Sequence, residues 1–374
     1  MKITFKKSPF PPILFLLLTT VLLSACGFDG TILGGTGGND PTTETEAAVS
    51  TQTTLATAEP ATSTPIPGTF GHIIFVSNRD GQMNLYMTSP DGIEVTRLTT
   101  NASENVTPRI SPDGTRVAFV STVNNNMDIY VLEIATGHII RVTDAPEKDS
   151  APSWSSDGSR LAFESFRDGN FEIYVVNADG SSLMRLTNEQ SADTQPIWSP
   201  VSDEIVFVTG RFGNSDLMRL DLNGAVSTLT TNPSPDYAPA WSPDGNSIAF
   251  QSFSGELSNL CLIGRDGLNQ RCLTSTPDLY DAPVWSPDGL MLAVNAKQTE
   301  IQIFNIQTGE MTSHTSPGIE PRGTPVWSPE GLRLVFQAQV NGDFEIFSIL
   351  LPTGEFSQIT SIPGYDGEPA WTVR

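Results

Sequence analysis

Basic side chains are scarce in this chain: 20 Lys and Arg stand against 42 Asp and Glu in 374 residues, a formal charge of −22 at pH 7. Such a surface repels phosphate backbones and anionic lipid heads, which argues against nucleic acid as a partner and in favour of cationic or divalent ones. Histidine is rarer still. Its three copies, His72, His138 and His314, occupy non-equivalent positions, and the chain has no Gly-x-Ser-x-Gly elbow, no His-Glu-x-x-His pair and no Cys/His spacing suited to structural zinc. Catalysis by a Ser–His pair is therefore not expected. Beyond the N-terminus no helical pattern interrupts the strand-like segments, which excludes a parallel α/β sheet.

The one long apolar run lies at the N-terminus, where Lys2, Lys6 and Lys7 precede Ile13–Leu18 and Val21–Leu23. It is too short for a comfortable membrane span and reads as an export signal over residues 1–25. Removing that segment takes away three lysines and no acid, leaving 17 basic against 42 acidic residues. The run ends in Leu23–Ser24–Ala25–Cys26, which resembles a bacterial lipobox, so Cys26 is the expected site of lipidation and membrane anchoring. Residues 26–68 are rich in Thr, Ala, Gly, Ser and Pro without apolar periodicity, a composition that cannot bury enough surface to order itself. A flexible tether is expected there.

What the rest of the chain does contain is a repeat. A proline, a variable residue, a Trp or Ile and a Ser-Pro-Asp-Gly-like turn recur with prolines at 108, 152, 196, 239, 283, 325 and 369, at intervals of 42 to 44 residues. Each period holds four strand-like pieces, illustrated by 153–155, 160–165, 172–176 and 183–187, separated by Pro, Asp and Gly turns. Four antiparallel strands every 40 to 45 residues is the signature of a β-propeller blade, so an all-β, seven-bladed propeller is expected over residues 69–374. The array starts in mid-blade with 72–77, 84–88 and 96–99, and ends on one isolated Pro-x-Trp strand, 368–373. The last strand should therefore complete the first blade, three strands from one end and one from the other.

These residues resemble the TolB-type propeller repeat, whose marks are Pro-x-Trp-Ser-Pro-Asp-Gly, then an Ile-Ala-Phe-x-Ser strand, then an Ile-Tyr pair. The second mark stands at Val117–Ser121, Leu161–Ser165 and Ile248–Ser252, and the third at Leu85–Tyr86, Ile129–Tyr130 and Ile173–Tyr174, weakening to Leu260–Cys261 and Ile303–Phe304. Members of that type carry six blades behind an α/β domain, whereas a linker precedes seven repeats here. The resemblance implies a propeller fold and leaves function open, since the repeat occurs in envelope complexes, in lipoproteins and in propellers fused to peptidases. No hydrolase domain follows residue 374, so a fused peptidase is not expected.

The position three before each marker proline reads Asn105, Asp149, Asp193, Asp236, Tyr280, Arg322 and Asp366, with Asp281 one place on. If the Pro-x-Trp strand is innermost, these residues ring one mouth of the channel, where they could bind Ca2+ or a basic segment of a partner. Equally, each could cap the loop into its inner strand. A second polar position, Asn84, Asp128, Glu172, Asp216, Asn259 and Glu345, precedes the Ile-Tyr pair and reads as structural. Cys261 and Cys272 fall in neighbouring strands of one blade, within a residue of facing each other, so export permits a disulfide; otherwise both are small buried apolar residues. The favoured function is a non-catalytic, monomeric envelope lipoprotein that binds a protein or glycan. The alternative is a propeller hydrolase or lyase that uses channel carboxylates and a divalent metal.

Overall fold

A computed structural model describes residues 71–372 apart from Ala102. The export signal, Cys26 and the tether lie outside the described residues.

The described chain contains seven four-stranded antiparallel sheets and no helix, in agreement with the repeat count. Blade 1 is closed as expected: the inner strand Asp366–Trp371 pairs with Ile73–Ser77, which continues to Asn84–Thr88 and Val95–Arg97. Blade 2 begins at Glu104, blade 3 at Asp149, blade 4 at Asp193, blade 5 at Asp236 and blade 7 at Glu320; blade 6 has a two-residue inner strand, Val284–Trp285. The seven Pro-x-Trp strands touch their neighbours in a closed ring, so they are the innermost strands and enclose the axis. Closure leaves the array without a terminal blade edge.

The repeat places a phenylalanine at the centre of the second strand of six blades: Phe75, Phe119, Phe163, Phe207, Phe250 and Phe336, all fully buried. Alternation along the strand sends these rings to one face of the blade, where they meet the next sheet. Ala118, Ile129 and Val131 of blade 2 accordingly form one core with Trp154, Phe163 and Tyr174 of blade 3. The hydrophobic core is thus seven seams between blades. Each buried ring contributes about 2 to 3 kcal/mol. In four blades the indole N–H of the marker Trp fastens the seam by donating to the preceding blade, as Trp154 does to the Arg109 carbonyl at 2.9 Å and Trp285 to the Ala240 carbonyl at 3.0 Å, whereas Trp198 and Trp371 make no such bond.

Two turns explain why the marker sequence is what it is. In Ser155–Ser–Asp157–Gly158 the Ser155 hydroxyl donates to Asp157 at 2.6 Å, Asp157 accepts the Ser159 N–H at 2.9 Å, and Gly158 takes φ 69°. These bonds hold the Asp157 carboxyl well down, at about 2. At the ring closure Gly92 passes so close to blade 7 that an added Cβ would lie 2.2 Å from the Ile359 carbonyl oxygen. Only glycine fits that approach.

The register corrects one motif. Val294 of blade 6 faces Gln302, as Phe250 of blade 5 faces Cys261, so the blade-6 counterpart of the Ile-Tyr pair is Ile301–Gln302 and not Ile303–Phe304. The facing residues are 8 apart there against 11 in blade 5, so the hairpin is three residues shorter, which shifts the sequence relative to the sheet. The inner strands also start earlier than the sequence suggests, at Asp149 in blade 3 rather than near Ser153, because the ladder continues through a bulge before the proline.

Candidate functional site

Antiparallel strands put the turns between second and third strands, and the entries to the inner strands, on one face of the disk. The ring of polar residues before the marker prolines lies beneath that face. Asn105, Asp149, Asp193, Asp236 and Asp366 are at most 1 % exposed. Each already has partners. Asp149 takes both carboxylate bonds from Arg167 at 2.9 and 3.2 Å, Asp193 bonds Arg211 at 2.5 Å, and Asp366 bonds Arg79 at 2.8 Å. Asn105 donates to Asn101 at 2.8 Å and to Asn84 at 3.2 Å, and Asp236 accepts from Asn232 at 2.9 Å.

The second recurrent polar row completes this layer. Thr187 donates to Glu172 at 2.6 Å while accepting the Ile173 N–H at 2.9 Å, and Thr99 with Asn84 and Thr360 with Glu345 repeat the arrangement. Across every such seam a third-strand residue of one blade approaches an inner-strand residue of the next. The guanidinium groups that neutralise these acids were not singled out in the sequence. They sit at Ser77–Asn–Arg79, Ser165–Phe–Arg167 and Thr209–Gly–Arg211, a Ser/Thr-x-Arg mark after the second strand that would have revealed them. Arg79 lies over Phe75 and Tyr86, and Arg167 over Phe163 and Tyr174, at 4.7 to 5.7 Å from the ring centres. Stacking and ion pairing together set the arginine in place.

Blades 6 and 7 break the pattern. Tyr280 makes an isolated bridge to Ala296, and its carbonyl accepts the Gln251 amide at 2.5 Å. Asp281 is turned toward blade 7 beside Arg322, and burial pushes its pKa up to about 6. Arg322 itself pairs with Glu320 at 2.7 Å and donates to the Gln298 carbonyl at 2.8 Å. The predicted residues therefore do not converge on one point. Among the described residues no group of three or more His, Cys, Asp or Glu is placed to hold a metal ion, and arginines already pair with Asp149, Asp193 and Asp366 of the ring.

Closer to the axis the structure reveals a set that the sequence reading missed. The residue before the marker proline is left-handed in five blades, Thr107, Ala151, Gln195, Ala238 and Glu368, with φ between 50° and 54°. It sits in a bulge, and its N–H turns away from its own sheet. A side chain of the preceding blade receives that N–H: Glu368 takes Thr107 at 2.5 Å, Glu164 takes Gln195 at 2.9 Å, Gln195 takes Ala238 at 3.1 Å and Gln337 takes Glu368 at 2.8 Å. Between blades 6 and 7 the Asn295 amide bonds the Gly323 carbonyl instead. Burial raises the Glu164 and Glu368 carboxyls, and the N–H bonds oppose the rise.

The three histidines lie apart, His72 beside blade 1, His138 in a turn of blade 2 and His314 in the outer strand of blade 6. In blade 5 the register sets Cys261 directly opposite Cys272, and the two form a disulfide.

Comparison with known proteins adds a family. A model described as the TolB beta propeller domain matches residues 62–259 and 254–373. A protein TolB homolog of Chlorobaculum tepidum is 48% identical over 46 residues, 12% of this chain and 11% of its own length, so the chain spans about a tenth of the curated relatives it matches. Among solved structures, TolB from Acinetobacter baumannii is similar at 24% identity and TM-score 0.56, over 82% of this chain and 68% of that one. An oligogalacturonate lyase in complex with manganese is similar at 16% identity and TM-score 0.63, over 75% of this chain and 86% of its own. At these identities the structural likenesses speak for the fold alone. The family match spans nearly all of the described residues, and the chain belongs to the TolB beta propeller domain family.

Proposed function

We propose that this protein is a non-catalytic binding scaffold of the cell envelope, exported and held at a membrane by lipid on Cys26, which presents one propeller face to a protein or glycan. One observation carries the reading. Above the buried carboxylate layer, the face formed by the second-to-third-strand turns exposes Phe166 in blade 3, Phe212 in blade 4 and Leu257 in blade 5, with Leu279 in the connection to blade 6. These apolar side chains vary from blade to blade while the layer beneath them repeats. Variable apolar groups on a rigid repeated base are what a recognition surface needs. The rival reading, a hydrolase or lyase, requires channel carboxylates free to act on a substrate. Glu164 and Glu368 instead accept backbone N–H groups of the next blade, and the mouth aspartates are held by arginine or asparagine.

The test is recovery of partners from envelope extract by the tagged full chain and by a Phe166→Ser/Phe212→Ser variant. A partner bound through this face should fall at least about tenfold in the variant at unchanged melting temperature. Equal recovery by both proteins would remove the face from consideration.

A further inference from the structure

The clasp between inner strands is present at every seam but one. At six seams a side chain of one blade bonds the backbone at the bulge of the next. Between blades 2 and 3 the second-strand position filled by Glu164, Gln251 or Gln337 elsewhere is Val120, which has no polar atom. The bulge residue is Thr107, too short to do what Gln195 and Glu368 do from the same place. The Ala151 N–H therefore meets no side-chain acceptor among the described residues, although Ala151 has the same left-handed backbone as its counterparts. The Thr107 hydroxyl is buried and makes no hydrogen bond.

The same seam holds a guanidinium without a counter-ion. Arg109, two residues beyond Thr107 on the innermost strand, makes one side-chain hydrogen bond, from Nη1 to the Pro108 carbonyl at 3.2 Å, and no ion pair within 4.0 Å among the described residues. At its level the other blades carry Ser153, Ile197, Ala240, Val284, Val326 and Ala370, all smaller and none charged. Arg109 is exposed, on one of the innermost strands that enclose the axis. The surroundings push its pKa below the ordinary arginine value, and Glu368 opposes that shift. Glu368 makes no ion pair with it within 4.0 Å, and one of its carboxylate oxygens accepts the Thr107 N–H.

We propose that this seam is a carboxylate-binding site in the channel, in which Arg109 grips the anion and the Ala151 N–H completes its hydrogen bonds. The fold supplies the precedent for the ligand chemistry. At the seams on either side, a glutamate carboxylate accepts the equivalent N–H, Glu368 from Thr107 and Glu164 from Gln195. An external carboxylate would do at the seam between blades 2 and 3 what those side chains do next door, with a guanidinium fork added. The site does not depend on what binds the outer face.

The group could belong to a small acid or to the end of a peptide, and calorimetry on the full chain separates them. The probes are succinate, trialanine with a free C-terminus, and trialanine amide. Saturable binding of succinate or free trialanine, lost at least about tenfold in Arg109→Gln, is the expected result; the tighter of the two names the source. Val120→Gln supplies the missing acceptor in the manner of Gln337, and it should abolish binding while leaving the melting temperature unchanged or raised. Absence of binding by either acid up to about 10 mM, equal binding of the amide, or undiminished binding by Arg109→Gln would each overturn the proposal.

Discussion

The seams between blades 3 and 4 and between blades 4 and 5 solve the same problem with different means. Each buries two acids at 0 % exposure, Glu172 with Asp193 in the first and Asp216 with Asp236 in the second. In the first, Arg185 reaches Glu172 at 3.2 Å, and Arg211 reaches Asp193 at 2.5 Å. In the second no cation is paired with either acid. Asn232 bonds Asp236, and the Thr230 hydroxyl lies 3.4 Å from Asp216. One oxygen of each aspartate is left without a partner, as is one oxygen of Asp193 in the first seam, so the seams differ in the cation and not in the orphaned oxygen. A buried carboxylate without an opposite charge keeps its proton to higher pH. Burial first and Asp236 second accordingly raise Asp216 to about 6. The difference teaches that the repeat demands a polar residue at these positions, and that the surrounding seam decides whether it is charged.

The sharpest way to break the comparison is to remove the cation from the well-served seam. Arg211→Ala leaves Asp193 buried and unpaired, and should cost about 3 to 5 kcal/mol at pH 7 by chemical denaturation. A loss under about 1 kcal/mol would mean that water already shares the charge.

At the other seam the sign reverses. Asp216 has its folded pKa raised above 3.8, so its favourable contribution is complete below about pH 4 and is lost as pH rises through about 6. Asparagine occupies the equivalent position in blade 1, Asn84, and in blade 5, Asn259. Asp216→Asn should therefore stabilise the protein by about 1 kcal/mol at pH 8, and the gain should vanish at pH 4. A gain of equal size at both pH values would show that charge is not its cause.

The smallest effect comes from supplying the missing cation. Ser254 occupies in blade 5 the place that Arg167 has in blade 3, two residues after the facing serine. Ser254→Arg should add about 0.5 kcal/mol at pH 8, the ion pair being largely offset by ordering a long side chain. It should also flatten the pH dependence between 4 and 6. No change in that slope would mean that the guanidinium does not reach Asp236.

Much of this layer could be read in the chain and part of it could not. The polar positions before Pro152, Pro196, Pro239 and Pro369 stand out because they recur in register. Which arginine meets which acid does not, because the pairs are remote in sequence: Asp149 and Arg167 are 18 residues apart, and Asp366 and Arg79 are 287 apart. A repeat reveals what each blade shares, whereas the pairing crosses from one strand or one chain end to another. The channel clasp was harder still. The left-handed residue is Thr, Ala, Gln, Ala or Glu, so no residue type marks the bulge. Its acceptor comes from a different blade and a different strand row.

The period of about 44 residues, the alternation within strands and the Pro, Asp and Gly turns by themselves determined the four-stranded blades, their number and the closing of the first blade by the last strand. Those features are local or follow from counting, and the physics behind them acts over a few neighbouring residues. Only the tertiary structure decided which acids are neutralised, which keep a proton, and which seam leaves Arg109 without an ion pair, the Thr107 hydroxyl without a hydrogen bond and the Ala151 N–H without a side-chain acceptor. Electrostatics and hydrogen bonding in a buried seam depend on what the adjacent blade brings within a few ångströms, and that is set by packing around the ring.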